Sequence, residues 1–141
     1  MTRKELLLNA INAALAGGKE ILEVYNSDFA VEHKDDKSPL TEADKRAHLK
    51  IVELLAPTSL PVLSEEGKNI PYNDRKNWSQ FWMVDPVDGT KEFVKRNGEF
   101  TVNIALIENQ QSTMGVIFVP VTGELYFADD CAYKLTTEKL V

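Results

Sequence analysis

Four acidic residues stand in two short clusters, each directly behind an apolar run. Glu65 and Glu66 follow Pro61-Val62-Leu63-Ser64, and Asp85 and Asp88 follow Phe81-Trp82-Met83-Val84. The i, i+3 spacing of Asp85 and Asp88 across a turn containing Pro86 can bring both carboxylates to one side, and the fixed proline backbone frees the Val87 carbonyl to point inward as a third oxygen. Hard cations such as Mg²⁺ take oxygen ligands of this kind and keep several waters. No histidine or cysteine stands among them, which argues against zinc. Gly89 and Thr90 come next, where a glycine lets a phosphate approach the backbone. The amides that open a short helix through Lys91 and Glu92 are unpaired donors with a favourable dipole. A phosphate held by these N–H groups would be bridged to metals held by Glu65, Asp85 and Asp88.

Each element also has an ordinary structural reading. Asp-Pro-x-Asp-Gly is a common turn sequence. Glu65-Glu66 alone reads as a solvated pair, Thr90 as a hydroxyl cap, and Asp44 as a first-turn partner of a helix dipole. Lys34 reads as solvated, His33 and His48 as surface or core histidines, and Trp78, Trp82 and Phe93 as packing. The combination of an acidic pair, a buried strand and a six-residue acidic turn is what favours chemistry.

The elements that must position these residues follow from periodicity. Thr2-Arg3-Lys4-Glu5 forms a capping box, and Leu7, Leu8, Ile11, Leu15, Leu22 and Val24 predict an amphipathic helix from residue 3 to about 25. Gly17-Gly18 weakens its middle by about 1 kcal/mol per glycine. Phe29 to His33 reads as a strand, and Lys34 to Pro39 as a polar turn or loop. Thr41-Glu42-Ala43-Asp44 opens a second helix that runs through Leu49, Val52 and Leu55 and is stopped by Pro57. Pro61 to Ser64 is a short strand, residues 68–79 a mobile loop, and Phe81 to Val84 a strand buried on both faces. After the acidic turn and a helical stretch to about Lys95, the alternating runs Phe100–Leu106, Thr113–Val119 and Glu124–Ala128 predict an antiparallel meander. The fold class is therefore α+β, with two helices packed on a mostly antiparallel sheet.

The chain has 141 residues, 43% apolar and 27% charged, which suits one globular domain. A net charge of -6 leaves no basic stripe for a nucleic acid polymer. It also means that an anionic substrate needs positive charge from elsewhere, and bound cations would supply it. One cysteine, Cys131, gives no internal disulfide and no redox pair. No apolar run approaches the roughly 18–20 residues that span a bilayer, and no signal peptide is visible. Composition therefore points to the cytoplasm, with membrane association not indicated.

Trp82-Met83-Val84-Asp85-Pro86-Val87-Asp88-Gly89-Thr90 resembles the first signature of the inositol monophosphatase superfamily of lithium-sensitive, magnesium-dependent phosphatases. Ser38-Pro39-Leu40-Thr41 leading to Asp44, and then Ser64-Glu65-Glu66-Gly67, sit in the family's order. Lys91-Glu92-Phe93 after the signature, and Pro61 to Glu66 before it, look like the 3'(2'),5'-bisphosphate nucleotidase branch, the CysQ type. The resemblance covers nearly the whole chain. It implies the N-terminal domain of the family's layered sandwich, with 1–141 as the metal- and phosphate-binding unit. It further implies Mg²⁺ (two or three ions), one held by Glu65, Asp85 and the Val87 carbonyl, and a second bridged by Asp85 and shared with Asp88. Thr90, supported by Asp44, would orient or deprotonate the attacking water together with Glu65. The amides of Gly89 and Thr90 would bind the phosphate, so that Glu65, Val87, Asp88, Gly89 and Thr90 surround it.

The activity implied is hydrolysis of the 3'-phosphate of adenosine 3',5'-bisphosphate to AMP and phosphate, with a cytoplasmic location, peripheral at the inner membrane at most. An inositol or fructose bisphosphate phosphatase of the same superfamily and a non-catalytic metal-binding fragment are the alternatives. Family members continue for about as long again, into a C-terminal domain that supplies another aspartate in a Trp-Asp segment. No such segment stands in this chain. The expectation is a shortened form with a weak second metal site, reduced or absent turnover, and a sheet edge open to self-association.

Overall fold

The computed structural model describes residues 1–27, 39–67 and 69–137. The strand expected at Phe29 to His33 and the loop at 34–38, with Lys34, lie outside the described residues.

Helix α1 spans Arg3–Tyr25, and its capping box forms as expected: the Thr2 hydroxyl accepts the Glu5 N–H, and the Glu5 carboxylate accepts the Thr2 N–H. Arg3 then reaches across to the carboxylates of Glu108 and Asp129 and anchors the start of the helix to the sheet. Helix α2 spans Pro39–Leu55, beginning two residues before Thr41, because a proline fits the first helical position where no N–H is required. A single 3₁₀ turn, Ala56–Thr58, follows it and carries Pro57.

Among the described residues, six strands form one sheet: β1 (Val62–Ser64), β2 (Gln80–Asp88), β3 (Thr101–Glu108), β4 (Gln111–Val119), β5 (Glu124–Ala128) and β6 (Ala132–Thr136), in the order β1-β2-β3-β4-β5-β6. β1 runs parallel to β2, and every other pair is antiparallel. This is the α+β arrangement that the periodicity predicted, with β6 added at the far edge. Asn109 and Gln110, both with positive φ (49° and 68°), close the tight hairpin between β3 and β4. Two short helices complete the described chain, α3 (Tyr72–Arg75) and α4 (Thr90–Lys95). α3 lies inside the segment that the sequence marked as a loop.

α1 and α2 pack on each other and cover one face of the sheet. Trp82, Val84, Val102, Ile104, Leu106, Met114, Val116, Phe118 and Leu125 point into that interface. Trp82 also donates its indole N–H to Thr58 Oγ1 at 3.0 Å, as a buried Trp requires a partner. The opposite face carries Met83, 46% exposed, and Ile117, 45% exposed. The expectation that Phe81 to Val84 is buried on both faces is therefore corrected. The strand alternates like its neighbours, and only its even-numbered side chains meet the helices. No described helix is long and apolar enough to cross a membrane.

Gly17 and Gly18 have a packing role that outweighs their poor helix propensity. A Cβ on Gly17 would stand 2.9 Å from Ile51 of α2, and one on Gly18 would overlap the Phe118 ring of β4. The absent side chains let α1 approach both neighbours at once. Gly18→Ala, which propensity alone would favour, is expected to destabilise the chain by about 1–3 kcal/mol through overpacking, read as a lower urea midpoint. A midpoint at or above that of the unchanged protein would refute this packing role.

Candidate metal centre

β2 continues through the whole acidic segment as a strand, where the sequence had suggested a strand followed by a turn. Asp85 is opposite Asn103 and Asp88 opposite Thr101, so three steps on β2 match two on β3. The extra residue is a β-bulge at Pro86-Val87. On a regular strand, residues three apart face opposite sides; one inserted residue returns Asp88 to the side of Asp85. Pro86 gives no N–H to the ladder, and Val87, 2% exposed, sinks into the core and anchors the distortion.

β1 delivers the other carboxylates. Its parallel register puts Ser64 beside Val84, and the Glu65 N–H donates to the Val84 carbonyl at 3.3 Å. Glu65 therefore emerges alongside Asp85, close enough for each carboxylate to feel the charge of the other. Asp88 accepts from Asn103 Nδ2 at 2.8 Å. Asn103 was not legible as a site residue; it falls at a solvent-side position of an alternating strand, and only the register with Asp85 reveals it. Asp44 comes from α2. Because that helix starts at Pro39, Asp44 lies beyond the first turn, which removes the dipole-partner reading. It is half-buried and faces Glu66, Asp85 and Glu65.

The electrostatics follow from this crowding. Burial, and then the charges of Glu66, Asp85 and Glu65, push Asp44 up to about 7. Burial, with the charges of Glu65 and Asp88, pushes Asp85 up to about 6, against an opposing pull from the Val87 backbone. Like-charged carboxylates gathered at a partly buried strand end are what a bound cation would relieve. Among the described residues no three His, Cys, Asp or Glu side chains close into a metal-holding group. Asp88 is turned to Asn103. Mg²⁺ does not require such a cage, since it binds through one or two carboxylates with waters and substrate oxygens in the remaining positions. An all-oxygen, mutually repelling donor set fits a hard divalent cation.

Gly89 and Thr90 lie at the start of α4. Gly89 has φ +96°, and a Cβ there would stand 3.1 Å from the Glu99 carbonyl, so glycine is required for both conformation and space. No side chain caps the helix it opens. Thr90 is exposed and borders, with Leu40 and Lys91, a hollow between α4 and the start of α2. The structure thus gathers Asp44, Glu65, Glu66, Asp85 and Asp88 around one strand end and sets Gly89 and Thr90 next to it in the chain. Trp82 and Phe93 are fully buried, Phe93 against Tyr25 and Phe100, consistent with a packing role.

The sequence profile of the inositol monophosphatase family matches residues 3–134. A protein of Salmonella typhimurium named 3'(2'),5'-bisphosphate nucleotidase CysQ is 45% identical over 127 residues, a match covering 87% of this chain and 51% of that protein. Its namesake from Haemophilus influenzae is 37% identical over 131 residues, covering 91% and 49%. Among solved structures, CysQ from Bacteroides thetaiotaomicron, described as a bacterial member of the inositol monophosphatase family, superposes with TM-score 0.89 at 54% identity over 93% of this chain and 49% of its own. The extragenic suppressor protein suhB from Bartonella henselae superposes with TM-score 0.75 at 27% identity, covering 92% and 51%. The chain thus spans about half the length of the curated relatives it matches.

Proposed function

The chain belongs to the inositol monophosphatase family, and from that premise we propose that it is the Mg²⁺- and phosphate-binding part of a phosphomonoesterase acting on the 3'-phosphate of adenosine 3',5'-bisphosphate. The observation that carries this reading is the bulge that returns Asp88 to the side of Asp85, beside a Glu65 delivered by the adjacent strand. Support for the nucleotide comes from the relatives that bear the nucleotidase name.

Glu65, Asp85, Asp88 and the Val87 carbonyl would hold the cation. When bound, it supplies charge neutralisation and Lewis acidity toward the phosphoryl oxygens. Asp44, which burial and the carboxylates of Glu66, Asp85 and Glu65 push up to about 7 in the metal-free chain, would take or return a proton through Thr90 as water adds to phosphorus and the 3'-oxygen leaves. Gly89 and Thr90 present amides to the phosphate, and the water consumed balances the AMP and phosphate released. A cytoplasmic location and inhibition by lithium belong to the same proposal.

The test is phosphate release by this chain with Mg²⁺ from adenosine 3',5'-bisphosphate, inositol 1-phosphate and fructose 1,6-bisphosphate. We expect the nucleotide to be favoured at least about tenfold in kcat/KM, a difference of about 1.4 kcal/mol in transition-state binding, and release to be lost on Asp88→Asn. Preference for either sugar phosphate would overturn the nucleotide assignment. Catalytic silence with metal binding retained would leave a non-catalytic metal-binding unit.

A further inference from the structure

Asp44 and His48 stand four residues apart in α2 and therefore share one helix face, one turn apart. The Asp44 turn meets the carboxylates. The His48 turn meets the end of β1: His48 Nδ1 lies 2.9 Å from Ser64 Oγ. Its Cε1 lies 3.2 Å from where a Cβ on Gly67 would be, so the ring rests on the glycine backbone. Ser64 Oγ also accepts the Glu66 N–H at 3.3 Å, and the Ser64 carbonyl accepts the Gly67 N–H at 3.1 Å.

The turn that carries Glu65 is thus held from two sides. On one side the Glu65 N–H is bonded to β2, and on the other Ser64 and Gly67 are braced by His48. The second support matters because β1 has only three residues, all half-buried, and among the described residues it pairs with β2 alone. So short a strand offers little to fix the side chain that follows it, and a turn free to rotate would carry Glu65 away from Asp85.

We propose that His48 is a positioning residue: through Ser64 it locks the Glu65 turn to the same helix face that presents Asp44, and so sets the affinity of the carboxylates for a divalent cation. This rests on the reading of those carboxylates as a metal site. Nothing in it depends on which ring nitrogen carries the proton, since Ser64 can donate to or accept from Nδ1.

The test uses the 141-residue chain and Mn²⁺, followed by the loss of the free-ion electron paramagnetic resonance signal. His48→Phe keeps a ring against Gly67 but removes the nitrogen, and should weaken Mn²⁺ binding about tenfold, within the 10–100-fold typical of groups that orient metal ligands. His48→Asn, whose amide sits close to the position of Nδ1, should recover affinity to within about threefold of the unchanged chain. Ser64→Ala should weaken binding at least as much as His48→Phe, since it also removes the acceptor of the Glu66 N–H, and the double variant should be no weaker than Ser64→Ala alone, because the His48 bond is already lost in it. A merely structural role would lower metal-free thermal stability in His48→Phe and leave Mn²⁺ affinity unchanged, and that result would overturn the inference, as would additive losses. If His48→Phe fails to fold, Ser64→Ala decides alone: undiminished affinity in the folded variant is equally fatal. An unchanged chain that binds no Mn²⁺ would instead overturn the metal-centre reading itself.

Discussion

Asp85→Asn is expected to weaken Mn²⁺ or Mg²⁺ binding by at least about 100-fold, beyond what changes behind a metal ligand usually cost, and at the same time to stabilise the metal-free protein. Both effects have one origin. The Asp85 carboxylate lies half-buried between Glu65 and Asp88, and that burial and repulsion push it up to about 6. At pH 7.5 it is therefore ionised against its surroundings, a state that favours a cation and disfavours the empty fold. An amide has the same shape but carries no charge. After allowance for partial exposure, the relief amounts to about 1 kcal/mol in metal-free buffer. Urea unfolding in EDTA and Mn²⁺ titration of the same variant read the two quantities separately. Glu124→Gln, three strands away in the sheet order and paired with Lys134, should leave metal affinity unchanged. If Asp85→Asn binds Mn²⁺ as well as the unchanged chain, Asp85 is not a ligand.

The opposed signs make this more discriminating than loss of activity. A substitution that merely damages the fold lowers stability and binding together. Only a charged group held in an unfavourable position for the sake of a ligand gives up one while gaining the other.

What could be read from the sequence divides by the distance over which the physics acts. The capping box of Thr2 and Glu5, the limits of α1 and the alternation of β3 to β5 depend on neighbours within a few residues, and all appear where the pattern put them. The residue types of the acidic centre were equally legible, because oxygen donors at strand ends carry their chemistry with them. Their geometry was not. Asp85 and Asp88 looked like the two ends of a turn, whereas their common side comes from a bulge defined by the register with Asn103 and Thr101 on another strand.

Gly17 and Gly18 looked like weaknesses because propensity is local, while the contacts that require them, Ile51 and Phe118, lie far along the chain. Met83 sits in an unbroken apolar run, yet only one face of β2 meets the helices. α3 begins at Tyr72 behind Pro71, which offers no side-chain cap, so no capping signal marks it. His48 and Asn103 carry no signal in the sequence for one reason: the partner of each, Ser64 and Asp88, lies on a separate element.

The metal-free chain should lose stability as pH rises from about 5.5 to 8, and Mg²⁺ should restore it most at the upper end. In the unfolded chain Asp44 and Asp85 release their protons near the ordinary value of 3.8; in the folded chain they hold them up to about 7 and about 6. Between those limits the folded state binds more protons than the unfolded one, so raising the pH favours unfolding. The stabilising contribution is complete below about pH 4 and is lost as pH climbs through the folded values. Glu108 works in the other direction: hydrogen bonds from Thr113 and Arg3 hold it below the usual carboxylate range, so its contribution is present above its unfolded value and is already in place by pH 5.5. The interval from 5.5 to 8 therefore lies above the Glu108 transition and spans those of Asp85 and Asp44. With discount for partial exposure, a fall of roughly 1–2 kcal/mol is expected in EDTA. Asp44→Asn should flatten the profile. A cation that binds only the folded state adds RT ln(1 + [Mg²⁺]/Kd), and because it competes with those same protons its protection must be larger at pH 8 than at pH 5.5. Stability that climbs with pH across this interval, or Mg²⁺ protection equal at both ends, would show that the carboxylates of Asp44 and Asp85 do not share one site with the cation.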